Sequence, residues 1–208
     1  PLKGKLTLAF VNVAAFQTFD PVNPTFSRFI DEDFNRLWTK DVLFGNRDSV
    51  ELRRARELHP IVDTVDLLLD IHSMQTNTLP LIVAGPLLKG REFAKQFGIV
   101  EMVVTDSGHK AGRRMRDYEG FSDPDNSRNA LLIECGQHWK ESSSELAITA
   151  AWRFLSMLGV ISEQTSASHI RVQPPDQQQF VEVSGPYTIK TDSFSFVEKF
   201  VGLEVIPS

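Results

Sequence analysis

The chain has 208 residues, a net charge of −5 and 41% hydrophobic residues, enough for one sizeable α/β core or one domain with part of a second. The acidic balance argues against a protein that grips nucleic acid through its phosphates. No apolar run is long enough to cross a bilayer, and no signal peptide is visible.

In chain order, Leu6 to Val13 reads as a buried strand. Asp20-Pro21 and Asn23-Pro24 mark residues 14–27 as loop, followed by the charged run Arg28 to Arg36. Asp48 with Glu51 makes a capping box for a helix through Leu52, Ala55, Arg56 and Leu58 that ends or restarts at Pro60. Val65 to Ile71 is apolar enough for a strand buried on both faces. Leu79 to Ala84 is a further strand, Arg91 to Phe97 a short helix closed by Gly98, and Val100 to Thr105 a strand. Residues 106–129 form a long polar loop, of the length that usually carries function. Ala130 to Glu134 is a strand, and Ser142 with Glu145 caps a helix running to about Leu158. Strands alternating with helices through residue 160 predict an α/β sheet with helices on both faces.

Ser, Thr, Gln and Pro dominate residues 162–179, as in a linker. Phe180 to Val183, Tyr187 to Lys190 and Phe194 to Phe200 are short alternating segments that open a β-rich appendage. The chain begins within an apparent interior strand and stops where a strand should be turning, so residues are expected to be missing at both ends. The lone cysteine, Cys135, offers no internal disulfide and points to a reducing cytoplasm.

Three groups of residues carry chemistry. His72 ends an apolar strand, where open α/β sheets place their ligands. Asp70 shares its face and can hold the ring and fix its tautomer. His72 is therefore either a metal ligand or a strand-end histidine with a satisfied hydrogen bond. Glu134 interrupts the apolar run Leu131-Leu132-Ile133, where a carboxylate is costly unless paired or functional. Burial would lift its pKa toward that of a general base, and an ion pair with an arginine is the alternative. Arg28, Asn35 and Arg36 offer two planar forks and an amide to a carboxylate or an oxyanion, or else make a salt-bridged surface loop with Asp31, Glu32 and Asp33.

Other features are less directed. The clusters Arg53-Arg54-Ala55-Arg56 and Arg113-Arg114-Met115-Arg116 suit a small anion. The loop from Asp106 to Tyr118 is a lid with a specificity arginine or a solvated basic loop, with Tyr118, Arg116 and Arg128 as candidates to reach the site. His59, His138 and His169 read as structural or surface residues. Cys135 beside Glu134 makes a poor nucleophile. No nucleophile elbow, phosphate-binding loop or dinucleotide fingerprint occurs.

Arg28 to Arg36, followed by Leu67-Leu68-Leu69-Asp70-Ile71-His72-Ser73 and Glu134-Cys135-Gly136, resembles the succinylglutamate desuccinylase/aspartoacylase family, relatives of the zinc carboxypeptidases. The resemblance implies a zinc-carboxypeptidase-like mixed sheet with helices on both faces. Residues 1–162 would be a catalytic domain lacking its N-terminal strands, 163–179 a linker and 180–208 the start of a C-terminal β domain. It implies one zinc ion, with His72 as a ligand and the other two, from a His-x-x-Glu motif, upstream of Pro1. Glu134 would activate water, Arg28 steady the oxyanion, and Asn35 and Arg36 hold the substrate carboxylate, with Asp33 bracing the arginines. The implied reaction is hydrolysis of a small N-acyl amino acid in the cytoplasm, with no nucleic-acid or membrane partner; these residues alone would be inactive. A carboxypeptidase-type metallopeptidase and a non-catalytic carboxylate-binding domain without the metal site are the alternatives.

Overall fold

The computed structural model describes residues 4–185, 189–200 and 202–204. Among them the chain is a mixed α/β fold around one sheet, in the order β1-β4-β2-β3-β5. The strands are β1 (Leu67–Met74), β2 (Leu81–Val83), β3 (Met102–Thr105), β4 (Asn129–Gln137) and β5 (Gln179–Glu182). β1 and β4 run parallel, β4 and β2 antiparallel, and β2, β3 and β5 parallel to one another. Helices cover both faces, as predicted.

Alternation along β4 splits the core in two. Leu131, Ile133 and Cys135 pack against α4 (Leu88–Phe97) and α5 (Glu141–Met157), through Phe93, Phe97, Leu146, Ala150 and Phe154. Ala130 faces the other way, toward Leu52, Ala55, Leu58, Trp38 and Tyr118, beneath α3 (Val50–Val62). Leu132 and Glu134 share that second face, which stays open beyond the end of α3.

Several expectations are corrected. Leu6 to Val13 forms no strand: Leu8 and Phe10 are 83% and 87% exposed, and a short helix, α1 (Val13–Gln17), follows. Its apolar character marks the rim of a cleft rather than a sheet interior. β1 is an edge strand among the described residues, with Leu67 and Ile71 exposed, so it is not buried on both faces. The cap of α3 is Ser49, whose Oγ accepts the Leu52 N–H at 2.9 Å, and Asp48 pairs with Arg53 instead. The helix runs on through Pro60 because Asp63 N–H still reaches His59 O. α5 begins at Glu141, while Ser143 turns its hydroxyl back to the Gln137 carbonyl at 2.7 Å.

The supposed linker holds a short helix, α6 (Glu163–Ala167), and β5 joins the main sheet beside β3. Tyr187 lies outside the described residues, and Phe194 to Phe200 forms no strand. Between α1 and α3 the chain makes 3-10 turns at Pro24–Arg28 and Phe34–Arg36 and the one-turn helix α2 (Lys40–Leu43).

Gly90 in α4 marks a tight contact. A Cβ there would strike the Ala84 carbonyl, with the Arg116 guanidinium just behind it. Helix propensity favours alanine by about 1 kcal/mol, but overpacking a rigid carbonyl costs about 1–3 kcal/mol. Gly90→Ala is therefore expected to lower stability, by up to about 2 kcal/mol, in urea unfolding; a gain in stability would refute the contact.

Candidate active site

The site starts from strand register. In the parallel β1–β4 pair, His72 lies opposite Glu134 and Asp70 opposite Leu132. Period-two alternation puts Asp70, His72 and Glu134 on one face. All three line an open cleft of about 1320 Å³ bounded by β1, the end of α3 and the Arg28–Arg36 segment.

His72 Nε2 lies 3.0 Å from Asp70 Oδ1, and a third of the histidine side chain meets solvent. Burial alone opposes the imidazolium, but the charge and hydrogen bond of Asp70, with the charges of Glu134 and Asp33, outweigh it and raise the pKa to about 9. Burial raises the Glu134 pKa as well, up to about 7, against the pull of His72. One oxygen of each carboxylate, Asp70 Oδ2 and Glu134 Oε2, is buried without a hydrogen-bond partner. Next to Glu134, burial pushes the Cys135 thiol up to about 12, so it stays protonated.

The Arg28–Arg36 segment is a braced cluster of cations. Asp33 caps the Phe34–Arg36 turn through the Asn35 N–H at 2.9 Å. Its other oxygen holds Arg28 at 2.9 Å and lies 3.7 Å from Arg36. Burial raises the Asp33 pKa, but the Arg28 bond, the Asn35 amide and the Arg36 charge together bring it below the usual range. Asn35 Oδ1 accepts the Met115 N–H at 3.2 Å, which fixes the amide so that Nδ2 faces His72 Nε2 at 3.4 Å. With a proton of His72 Nε2 directed at Asp70 Oδ1, the ring nitrogen offers no acceptor to the Asn35 amide.

The long loop supplies a further cation, Arg114. Its guanidinium holds Asp106 with two bonds of 3.0 and 2.8 Å and lines the same cleft. The loop is docked onto the segment it faces. Trp38 N–H donates to Arg113 O, and Gly112, at φ +145°, lets the loop backbone press on the Arg36 carbonyl where a Cβ would collide.

Sequence reasoning singled out other members of this loop. Arg116 is buried elsewhere, donating to the Ala84 and Ala130 carbonyls and pairing with Asp117. Tyr118 is buried against His59, with its hydroxyl 2.8 Å from the ring. Arg128 holds the Val62 and Val65 carbonyls. None of these three lines the cleft. In the other basic cluster, Arg54 and Arg56 bond backbone carbonyls of Phe10, Val11, Leu43, Gly45 and Arg47. That cluster is architectural rather than an anion site.

His138 is the residue that the sequence analysis set aside. It lines the cleft with its Nδ1 2.6 Å from Ser73 Oγ, and Trp139 beside it stacks on Phe19. It follows β4 by a single residue, and its spacing to Glu141, His-x-x-Glu, is the sequence signal that marks it. His59 is held by Tyr118 and Asp63, and His169 stacks on Trp152.

A zinc centre needs at least three protein donors. His72 has its Nε2 on Asp70, and His138 has its Nδ1 on Ser73. His109 turns its Nδ1 to the Ala111 N–H and lies outside the cleft. Among the described residues no three His, Cys, Asp or Glu side chains come together so as to hold a metal ion. These residues do not by themselves fit a zinc centre.

The fold is a mixed α/β sheet with helices on both faces, and the cleft sets guanidiniums beside a buried carboxylate. No family model and no curated protein matches the sequence. Solved structures do match. A succinylglutamate desuccinylase from Chromobacterium violaceum is 15% identical, with a TM-score of 0.55 over 83% of this chain and 55% of that one. One from Vibrio cholerae is 16% identical, with a TM-score of 0.53 over 83% of this chain and 52% of that one. A succinylglutamate desuccinylase/aspartoacylase from Rhodobacter sphaeroides is 17% identical, with a TM-score of 0.52 over 73% of this chain and 44% of that one. The chain thus shares the fold of solved members of this deacylase family and spans about half their length. Among the described residues no helix is long and apolar enough to cross a membrane.

The two shifted groups set a pH dependence. The His72 pKa is raised above its unfolded 6.5, so its contribution is complete below about pH 6.5 and disappears as pH rises toward 9. The Glu134 pKa is raised above 4.5, so ionising it costs the fold increasingly between pH 4.5 and about 7. Both make stability fall from weakly acid to alkaline pH. With solvent screening at His72 the decline from pH 6.5 to 9 should be about 1–2 kcal/mol. Asp70→Asn should flatten that limb in urea unfolding across the range; an unchanged slope would remove Asp70 as its cause.

Proposed function

We propose that this chain is a carboxylate-binding domain on a deacylase fold, taking a small N-acyl amino acid dicarboxylate into the cleft. One observation carries the reading: Arg28, Asn35, Arg36 and Arg114 face a single cleft with Glu134, while the described residues offer no metal-holding set. Arg36 and Asn35 bind one substrate carboxylate, the planar fork supplying two parallel bonds that a lysine cannot reproduce. Arg114, held rigid by Asp106, meets a second anionic group. Arg28, half exposed and paired with Asp33, meets the acyl carbonyl oxygen in this reading.

A second reading, hydrolysis of that acyl–amide bond, is favoured by Glu134, whose pKa of about 7 suits a general base. In it Glu134 takes a proton from water and delivers it to the leaving amine, and Arg28 steadies the oxyanion. The zinc that the family resemblance implies would need donors in addition to His72. In the same proposal, residues 1–162 form the ligand-binding unit, 163–179 the connection and 180–208 the opening of a further β domain. A peptidase of the carboxypeptidase type uses similar groups and is distinguished by its substrate.

Calorimetry with N-acetylaspartate tests the first reading. Binding is expected, and Arg36→Lys should weaken it about tenfold, or about 1.4 kcal/mol. Equal affinity would remove Arg36 from the site. Zinc titrated into the same chain should bind weakly, because chelation by several fixed donors supplies most of the affinity. Tight one-to-one binding abolished by His72→Ala, with amide hydrolysis appearing alongside, would favour the second reading.

A further inference from the structure

Glu51 is fully buried in the first turn of α3. Its carboxylate accepts the backbone N–H groups of Ile30 at 2.6 Å, Asp31 at 3.0 Å and Glu32 at 3.3 Å, and the Asn12 side-chain amide at 3.3 Å. In return, Asp31 Oδ2 accepts the Val50 N–H at 2.7 Å. Consecutive N–H groups curled around one anion form a nest, which fixes several backbone dihedrals at once. The N-terminus of α3 adds favourable partial charge. Burial raises the Glu51 pKa, but the bonds from Ile30 and Asp31 outweigh it and bring it below the usual range. The carboxylate is thus ionised throughout the neutral range.

The wrapped residues lie between Arg28 and the Asp33–Arg36 turn. We propose that Glu51 is a positioning residue that fixes the backbone of residues 30–32, sets the spacing of Arg28 from Arg36, and so controls the affinity of the cleft for a carboxylate. The inference rests on the carboxylate-binding reading above. It concerns a group that touches no ligand and that a sequence reader assigns to helix capping.

Glu51→Gln isolates the effect. An amide has one accepting oxygen, and its NH2 would face N–H donors. Calorimetry with N-acetylaspartate should show binding weakened about tenfold or more. Hydrogen exchange should show the amides of Ile30, Asp31 and Glu32 losing protection. Ser49→Ala is the control: it removes the cap of the same helix, lowers the urea midpoint, and should leave both affinity and those amides unchanged. If Glu51→Gln does not fold, Asn12→Ala removes one donor to the carboxylate and should weaken binding about threefold.

A folded Glu51→Gln, or in its place Asn12→Ala, that binds as tightly as the parent chain overturns the proposal, while Arg36→Lys still tests the site itself. A parent chain that does not bind the probe at all removes the carboxylate reading and this inference with it. Equal weakening in Ser49→Ala and Glu51→Gln would reduce Glu51 to a general stabiliser of the helix and also overturns the proposal.

Discussion

The parallel pairing of β1 with β4 at the His72–Glu134 register is the constraint on which the cleft depends. A slip of one residue would turn Asp70 and His72 to the opposite face, since side chains alternate. In this register two carboxylates and an imidazole are confined to one partly buried face. Neither carboxylate can be satisfied by the sheet, whose backbone groups pair with one another. The face is tolerable because cations are brought to it: the proton on His72, and the guanidiniums of Arg28, Arg36 and Arg114. A buried charge without such partners costs several kcal/mol.

Those cations are held in turn by two further acids. Asp33 orients Arg28 and Arg36, and Asp106 fixes Arg114 with a two-bond fork. The two segments that carry them are joined, because Met115 N–H meets Asn35, Trp38 N–H meets Arg113, and Gly112 lies against Arg36. A ligand arriving here finds its donors already ordered, which lowers the entropic cost of binding. Flexible surface arginines would bind the same anion far less well.

The same arrangement separates binding from catalysis. Anion recognition needs the arginines and Asn35, and all of them face the cleft. Metal-assisted hydrolysis needs a donor set that His72, tied to Asp70, does not complete with the described residues. Glu134 links the two readings: as a neutral acid near pH 7 it hydrogen-bonds a ligand, and as a carboxylate it can accept a proton from water. The fold is common to both, because it fixes where strands end and leaves the chemistry to the side chains there.

Local sequence was informative wherever chemistry and position coincide on one short segment. The strand bearing Asp70 and His72, the carboxylate within Leu131-Leu132-Ile133, the helix closed by Gly98 and the sheet with helices on both faces were all legible, because alternation, capping and the rarity of a charge in an apolar run are local properties. Tertiary structure decided the rest. Leu6 to Val13 is as apolar as a strand but has no strand to pair with, so it lines the rim. Arg114 faces the cleft and Arg116 faces the core, though two residues apart, because only Arg116 finds the Ala84 and Ala130 carbonyls between the strands. His138 reached the site and Glu51 reached residues 30–32 by contacts spanning 65 and about 20 positions, which no local pattern encodes. A sequence fixes which groups are available; the packing of distant segments selects which of them meet.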